Sequence, residues 1–277
     1  MTRASLAEVL APAMAENHAV AGLVCLGWED ARAYAAAAEA EGAPVILQAG
    51  PGARAHMPLA VWGAMLGELA DRASVPVVIH LDHGASAAEC EAAIAHGFTS
   101  VMFDGSRLPL DDNIGQTAGI ARRARAAGVS CEGEIGFVGY AEGEASSGTV
   151  PAEAARFAEQ TGVDAVAVSV GNVHLQRTAA GEIDEARLAA IMAATNVPLV
   201  LHGGSGLPRD LRRRLARTTN VCKFNIGTEL RMGFGAALRQ TLDSDADVFD
   251  RIAILARTEA PLEALAREII RELRHPA

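Results

Sequence analysis

The sequence predicts an α/β protein, a single (β/α)8 TIM barrel, on three observations. Short β-branched apolar runs alternate eight times with helix-length segments, the pattern of a parallel sheet with helical crossovers. Eight such units in 277 residues match a barrel, which takes about 250 residues. No linker or composition break interrupts them, so residues 1–277 read as one TIM-barrel domain with a short N-terminal helix and a C-terminal helical tail. An open doubly wound sheet is the runner-up. It lacks support because no glycine-rich turn follows the first strand.

Each element has its own signal. Residues 4–17 are amphipathic and read as a helix over the closed end of the barrel. Ala21 to Gly27 is strand one, and Glu29 to Glu41 is a helix whose alanine run reflects helix propensity. Pro44 to Ala49 is strand two. Gly50-Pro51-Gly52 then turns the chain into a helix over roughly residues 57–73. Strand three, Pro76 to Leu81, is a Val/Ile run that gives way to Asp82-His83-Gly84. A helix runs from Ala85 to His96, strand four from Ser100 to Asp104, and a helix from Asp111 to Ala127. Strand five, Ser130 to Ile135, leads into a long polar, glycine-rich loop, Gly136 to Thr149. Pro151 sits in the first turn of a helix that ends at Thr161. Ala165 to Val170 is strand six, followed by Gly171-Asn172-Val173-His174 and a helix from Ile183 to Ala194. Pro198 to Leu201 is strand seven, leading into His202-Gly203-Gly204-Ser205-Gly206 and a helix from Leu207 to Arg217. Val221 to Ile226 is strand eight, leading into Gly227-Thr228. Helices fill the remainder to Arg274.

Composition narrows the function classes. The net charge is −10 and no Lys/Arg block occurs, so nucleic acid and anionic membranes are poor partners. Any anionic substrate must be held by local groups. No apolar run reaches about 18 residues and no leader pattern opens the chain, so a cytoplasmic protein is expected. Cys25, Cys90, Cys131 and Cys222 form no C-x-x-C pair and read as buried thiols.

Chemistry-bearing residues gather at strand ends, where a barrel places its active site. His83, His174 and His202 follow strands three, six and seven. Three neutral imidazoles suit Zn²⁺ and leave one position open for substrate. Asp82, beside one of them, is a candidate acid/base. Asp104 ends strand four. Glu132 and Glu134 alternate on strand five and share a buried face, so each needs a partner. A salt bridge inside the barrel is one solution. Contact with the ion, directly or behind its ligands, is the other for Asp104 and Glu134. Glu142 lies in the long loop, whose glycines suit a substrate cover. Gly203, Gly204 and Ser205 after strand seven, with Asn225, Gly227 and Thr228 around the end of strand eight, form turns whose N–H groups and hydroxyls suit phosphate.

Taken together, His-Leu-Asp-His at 80–83, Asp-Gly-Ser at 104–106, Glu-x-Glu-Ile-Gly at 132–136, Gly-Asn-Val-His at 171–174, His-Gly-Gly-Ser-Gly at 202–206 and Lys-Phe-Asn-Ile-x-Thr at 223–228 resemble the class II, zinc-dependent ketose-bisphosphate aldolases. These include fructose- and tagatose-bisphosphate aldolases. The resemblance runs in order from about residue 18 to 230. It implies a (β/α)8 barrel in a homodimer or homotetramer, acting on a small phosphorylated sugar. It implies one Zn²⁺ per subunit on His83, His174 and His202, and it allows a monovalent cation. Asp82 would be the acid/base at the aldehyde oxygen, and Glu142 would move the proton on the dihydroxyacetone phosphate carbon. Gly203, Ser205, Asn225 and Thr228 would hold the phosphate. Lys223, the only lysine in the chain, is not needed as a Schiff base.

The chain departs from that family's pattern at substrate contacts. Val24 stands where asparagine is usual, Gly50 where serine or threonine is frequent, and Leu175 where glycine follows the histidine. Gly139-Tyr140 replaces a pair of glycines. Retained aldolase chemistry with an altered substrate is therefore expected. A metal-dependent hydrolase or epimerase-like barrel and a catalytically silent assembly subunit are the alternatives.

Overall fold

The computed structural model describes residues 2–141, 143 and 145–274. Eight parallel strands close into a barrel in sequence order: β1 (Val20–Val24), β2 (Val45–Ala49), β3 (Val77–Gly84), β4 (Ser100–Phe103), β5 (Ser130–Ile135), β6 (Ala165–Val168), β7 (Leu199–Leu201) and β8 (Val221–Ile226). Among the described residues the helices are α1 (Leu6–Ala15), α2 (Trp28–Ala40), α3 (Pro51–His56), α4 (Leu59–Arg72), α5 (Ala87–Ala95), α6 (Leu110–Ala126), α7 (Pro151–Thr161), α8 (Glu185–Ala194), α9 (Arg209–Thr218), α10 (Thr228–Ser244) and α11 (Arg251–Arg274). The expected (β/α)8 architecture is what the chain adopts.

The barrel interior has two chemically distinct halves. At the N-terminal end, Leu6, Val9, Leu10 and Ala13 of α1 pack onto Val20, Ile46, Val78, Met102, Ala165, Ala167 and Val200. Burying each such leucine or valine contributes roughly 1.5–3 kcal/mol. A Ser5–Glu8 capping box starts α1, which closes the barrel as expected. Toward the C-terminal end the inward positions are polar: Gln48, His80, Glu132, Glu134, Lys223 and Asn225 are all buried. The larger apolar core lies between the sheet's outer face and the helices, around Leu47, Ile79, Trp62, Phe157 and Phe224.

Two expectations shift. The helix expected over 57–73 is present as α4, and a further short helix, α3, precedes it. Gly50 caps α3 with Pro51 in its first turn, and Pro58 caps α4, because the residue before a proline is driven out of the helical region. Gly50-Pro51-Gly52 is thus a helix start rather than a free turn. The second change matters more. Strand three does not stop at Leu81 but continues through Asp82 and His83 to Gly84. Its register against β4 slips there: Leu81 pairs with Val101, and Gly84 with Phe103. Three steps on β3 face two on β4, the signature of a bulge. His83 takes a left-handed φ of 52°, uncommon for a residue with a side chain.

All four cysteines are buried and free. No described helix is long and apolar enough to cross a membrane.

Candidate active site

Ordinary strand alternation sends neighbouring residues to opposite faces. The bulge in β3 breaks that rule where it matters, so Asp82 and His83 both line one cavity at the C-terminal mouth of the barrel. Arg54 of α3 secures this corner. Its guanidinium donates to the carbonyls of Ala49, Asp82 and His83 at 2.6–2.9 Å and pairs with Glu89. The strained backbone is therefore held at two carbonyls by one buried side chain, itself anchored to Ala49 and Glu89.

His174 and His202 join His83 from across the barrel. His83 Nε2 and His202 Nδ1 lie 3.0 Å apart. One nitrogen from each of the three rings falls within 4.8 Å of the others. Tetrahedral ligand nitrogens at about 2.05 Å from a zinc ion would stand about 3.3 Å apart. The donor set thus fits a divalent cation in both chemistry and spacing. Two loop features set the approach of the rings. Asn172 Nδ2 donates to the His202 carbonyl at 3.0 Å. Gly203, at φ 66°, lets the backbone pass so close that an added Cβ would stand 2.1 Å from the Val173 carbonyl oxygen.

Carboxylates surround the rings. Asp104 Oδ2 lies 2.7 Å from His83 Nδ1, which turns Nε2 toward the centre. Glu132 Oε1 lies 3.2 Å from His202 Nε2, which turns Nδ1 the same way. Such bonds fix tautomer and ring orientation in metal-binding histidines. Glu134 Oε2 is buried without a hydrogen-bond partner, 3.6 Å from His83 Nδ1 and 3.9 Å from His202 Nδ1. His83, Asp104 and Glu134 form a second group spaced to hold an ion.

The electrostatics favour positive charge at this point. Burial opposes protonation of His83, but Asp82, Asp104 and Glu134 outweigh it and push His83 up to about 10. Burial lowers His174 to about 4 and holds His202 well below its ordinary value. Burial raises Glu134 to about 8. Burial would raise Asp82 too, but His83, His202 and Lys223 around it shift it downward. A cation held by neutral imidazoles satisfies the same field that otherwise draws a proton onto His83.

The cavity measures about 630 Å³. On the β7–β8 side Gly203, Ser205, Asn225, Gly227 and Thr228 line it, with Arg231 behind them on α10. Ser205 Oγ accepts from the N–H groups of Gly227 and Glu229, seating it at the N-terminus of α10. Gly204 is buried and does not line the cavity; its carbonyl accepts from Arg212. The Asn225 side chain donates to Asp82 Oδ1 at 3.0 Å, so it positions that carboxylate. The opposite wall carries Arg107, 4.2 Å from the Phe137 ring centroid, and Tyr140, whose ring stands 5.1 Å from His174. Val24, Gly50 and Leu175 all line the same cavity, and Leu175 keeps a left-handed φ of 57°.

Glu142 lies outside the described residues. The segments beside it are placed: His174 N–H donates to Gly139 and Ala141 N–H to the His174 carbonyl. Sequence patterns did not single out Arg54, Arg107, Asn172 or Arg231, and noted Tyr140 only where Gly139-Tyr140 replaces a pair of glycines. Only Asn172 stood within a recognised motif, and an arginine in a loop or first helical turn carries no local signal of where it points. Lys223, set aside as a Schiff base, does not line the cavity; it is fully buried against Glu132.

Comparison with known proteins agrees with this geometry. The chain matches the family described as "Fructose-bisphosphate aldolase class-II" over residues 4–276. It is 36% identical over 279 residues to a fructose-bisphosphate aldolase of Geobacillus stearothermophilus, covering 98% of this chain and 97% of that protein. It is also 36% identical over 276 residues to a 6-phospho-5-dehydro-2-deoxy-D-gluconate aldolase of Shouchella clausii, covering 96% and 93%. Its fold superposes on the crystal structure of the YdjI aldolase from Escherichia coli K12 with a TM-score of 0.87 and 28% identity, covering 98% and 97%.

Proposed function

The chain belongs to the class-II fructose-bisphosphate aldolase family, and from that premise we propose a metal-dependent aldolase that reversibly cleaves a ketose phosphate to dihydroxyacetone phosphate and an aldehyde. The family makes it a carbon–carbon lyase. The supporting observation is the approach of His83 Nε2 and His202 Nδ1 to 3.0 Å beside Asp82. His83, His174 and His202 would hold the ion, with Asp104 and Glu132 orienting two of the rings. Bound there, Zn²⁺ would act as a Lewis acid on the substrate's ketone and hydroxyl oxygens.

The chain's own residues do the rest. In cleavage Asp82 takes the proton from the C4 hydroxyl; the C4–O bond becomes a carbonyl, and the C3–C4 electron pair stays on the donor fragment. Asp82 returns that proton in condensation. By the family pattern Glu142 delivers a proton to the donor carbon. Ser205, Thr228 and the Gly203 backbone receive the phosphate, with Arg231 and the α10 dipole adding positive potential. Asn225 serves that end by aligning Asp82.

The acceptor half lies toward β4 and β5, where Arg107 offers a charged fork to an anion. Relatives with similar overall identity are named for a bisphosphate and for a phosphorylated sugar acid, so a terminal phosphate or carboxylate both suit it. Val24, Gly50 and Leu175 reshape the walls and support a substrate other than fructose 1,6-bisphosphate.

A cleavage screen across phosphorylated and unphosphorylated ketoses, with and without chelator, tests the assignment. Chelator-sensitive release of two carbonyl fragments is expected. Hydrolysis of a bond instead, or turnover untouched by chelator, would overturn it. Fructose 1,6-bisphosphate cleavage at or above about 10⁴ M⁻¹s⁻¹ would remove the altered-substrate part alone. In the condensation direction, Arg107→Gln should raise KM for glyceraldehyde 3-phosphate or for a short semialdehyde acid, whichever is the better acceptor, while leaving a neutral aldehyde unchanged.

A further inference from the structure

Of the 24 basic residues in this chain, 23 are arginine and one, Lys223, is lysine. That single lysine is fully buried inside the barrel. Its Nζ lies 2.6 Å from Glu132 Oε2 and 3.2 Å from His80 Nε2. Gly22 leaves room for its stem: a Cβ there would stand 3.2 Å from Lys223 Cε. The proposed chemistry uses Glu132 to orient His202 but gives Lys223 no part, and Lys223 stays out of the cavity lining.

Resting on the metal-site assignment above, we infer that Lys223 is a positioning residue that acts through Glu132 to set the tautomer of His202. The chain of contacts is short and fully buried. Lys223 donates to Glu132 Oε2; Glu132 Oε1, at 3.2 Å, accepts from His202 Nε2. With the proton on Nε2, the Nδ1 lone pair faces His83 Nε2 at 3.0 Å, where the ion would sit. A carboxylate accepts at both oxygens, so one side can serve the ammonium and the other the imidazole. The compact ammonium on a flexible stem suits this space, where a planar guanidinium would not turn. His80, at 2.8 Å from Ser100 Oγ through Nδ1, walls the ammonium from the other side and leaves it Glu132 as its anionic partner.

The arrangement makes a prediction that simple packing does not. In Glu132→Gln the single carbonyl oxygen is drawn to Lys223, and the amide NH₂ then faces His202 Nε2. That forces Nε2 to accept and puts the proton on Nδ1, where the metal must bind. Removing the ammonium frees the amide to flip and restores the bond. Zn²⁺ affinity is measured by competition with a chromophoric chelator on folded protein, checked by circular dichroism. Glu132→Gln should bind about 10–100-fold more weakly than the parent. Lys223→Met/Glu132→Gln should bind more tightly than Glu132→Gln, regaining most of that loss. Parent-like affinity in Glu132→Gln, or a further loss in the double variant, would overturn the inference. A parent protein that binds no divalent ion would instead defeat the metal-site assignment itself. Long-range ¹⁵N–¹H correlation on the metal-free parent, histidine-labelled, needs no variant: His202 should carry its proton on Nε2, and a proton on Nδ1 would sink the idea.

Discussion

Asn225 Nδ2 donates to Asp82 Oδ1 across 3.0 Å, tying the end of β8 to the bulged end of β3. Residues 143 positions apart in the chain thereby fix one carboxylate. Its other oxygen faces the small Gly50, where an added Cβ would lie 3.3 Å away.

Asp82→Asn should therefore keep its metal and lose about 10²–10⁴-fold in kcat. Asn225→Ala should lose less, because the carboxylate remains but its orientation loosens. Steady-state kinetics with metal analysis of each variant separates the two effects. Loss of metal from Asp82→Asn would contradict the role given to Asp82.

Exhaustive chelation should abolish aldol cleavage, and added Zn²⁺ should restore it. Far-ultraviolet circular dichroism should not change. The apolar clusters that hold the barrel lie beneath α1 and outside the sheet, away from the histidines.

Leu175 offers a reversal of the usual order. At φ 57° any residue with a Cβ carries strain of roughly 1–2 kcal/mol, and glycine does not. Half exposed, Leu175 has little burial to lose. Leu175→Gly should be at least as stable as Leu175→Ala, by up to about 1 kcal/mol, although glycine is ordinarily the less stable choice. Chemical denaturation of the two variants reads the difference.

Gly203→Ala should cost both stability and metal affinity. Its φ is 66° and its Cβ would enter the Val173 carbonyl, which must then move with His174. A loss above about 2 kcal/mol is expected, with weaker Zn²⁺ binding in the same preparation.

Arg212 of α9 is fully buried. It bonds Glu272 of α11 at 2.7 Å, Glu229 of α10 at 2.8 Å and the Gly204 carbonyl at 3.1 Å. Arg212→Met leaves buried Glu272 only a 3.9 Å contact with Arg209, while Glu229 keeps its 3.2 Å bond to Arg209, and it should destabilise the protein by about 3 kcal/mol. Because Gly204 sits in the turn proposed to hold phosphate, KM for a phosphorylated ketose should rise as well.

Much of this was legible in the chain. The eight strands announce themselves through β-branched runs, and the three histidines and Asp82 stand at strand ends where a barrel places its site. Asp104 was placed near the ligands, and it proves to be bonded to His83. Other residues left no local trace. Arg54 reaches back from a helix to three carbonyls, and Arg107 and Tyr140 face the cavity from loops whose pattern says only that they are polar or mobile. Gly204 and Asn225 read as phosphate contacts. In the fold one lies beneath the cavity, and the other spends its amide on Asp82.

The sequence by itself determined the barrel, its polar mouth and the three histidines that converge there. Those depend on periodicity and turn chemistry, which are local along the chain. Tertiary structure decided that Asp82 and His83 share one cavity, since that needs a bulge against β4 and a left-handed residue held by Arg54. It also decided that the lone lysine pairs with Glu132 rather than entering the site. Both outcomes come from contacts between strands far apart in sequence, where burial leaves a charge no alternative to the partner the fold brings to it.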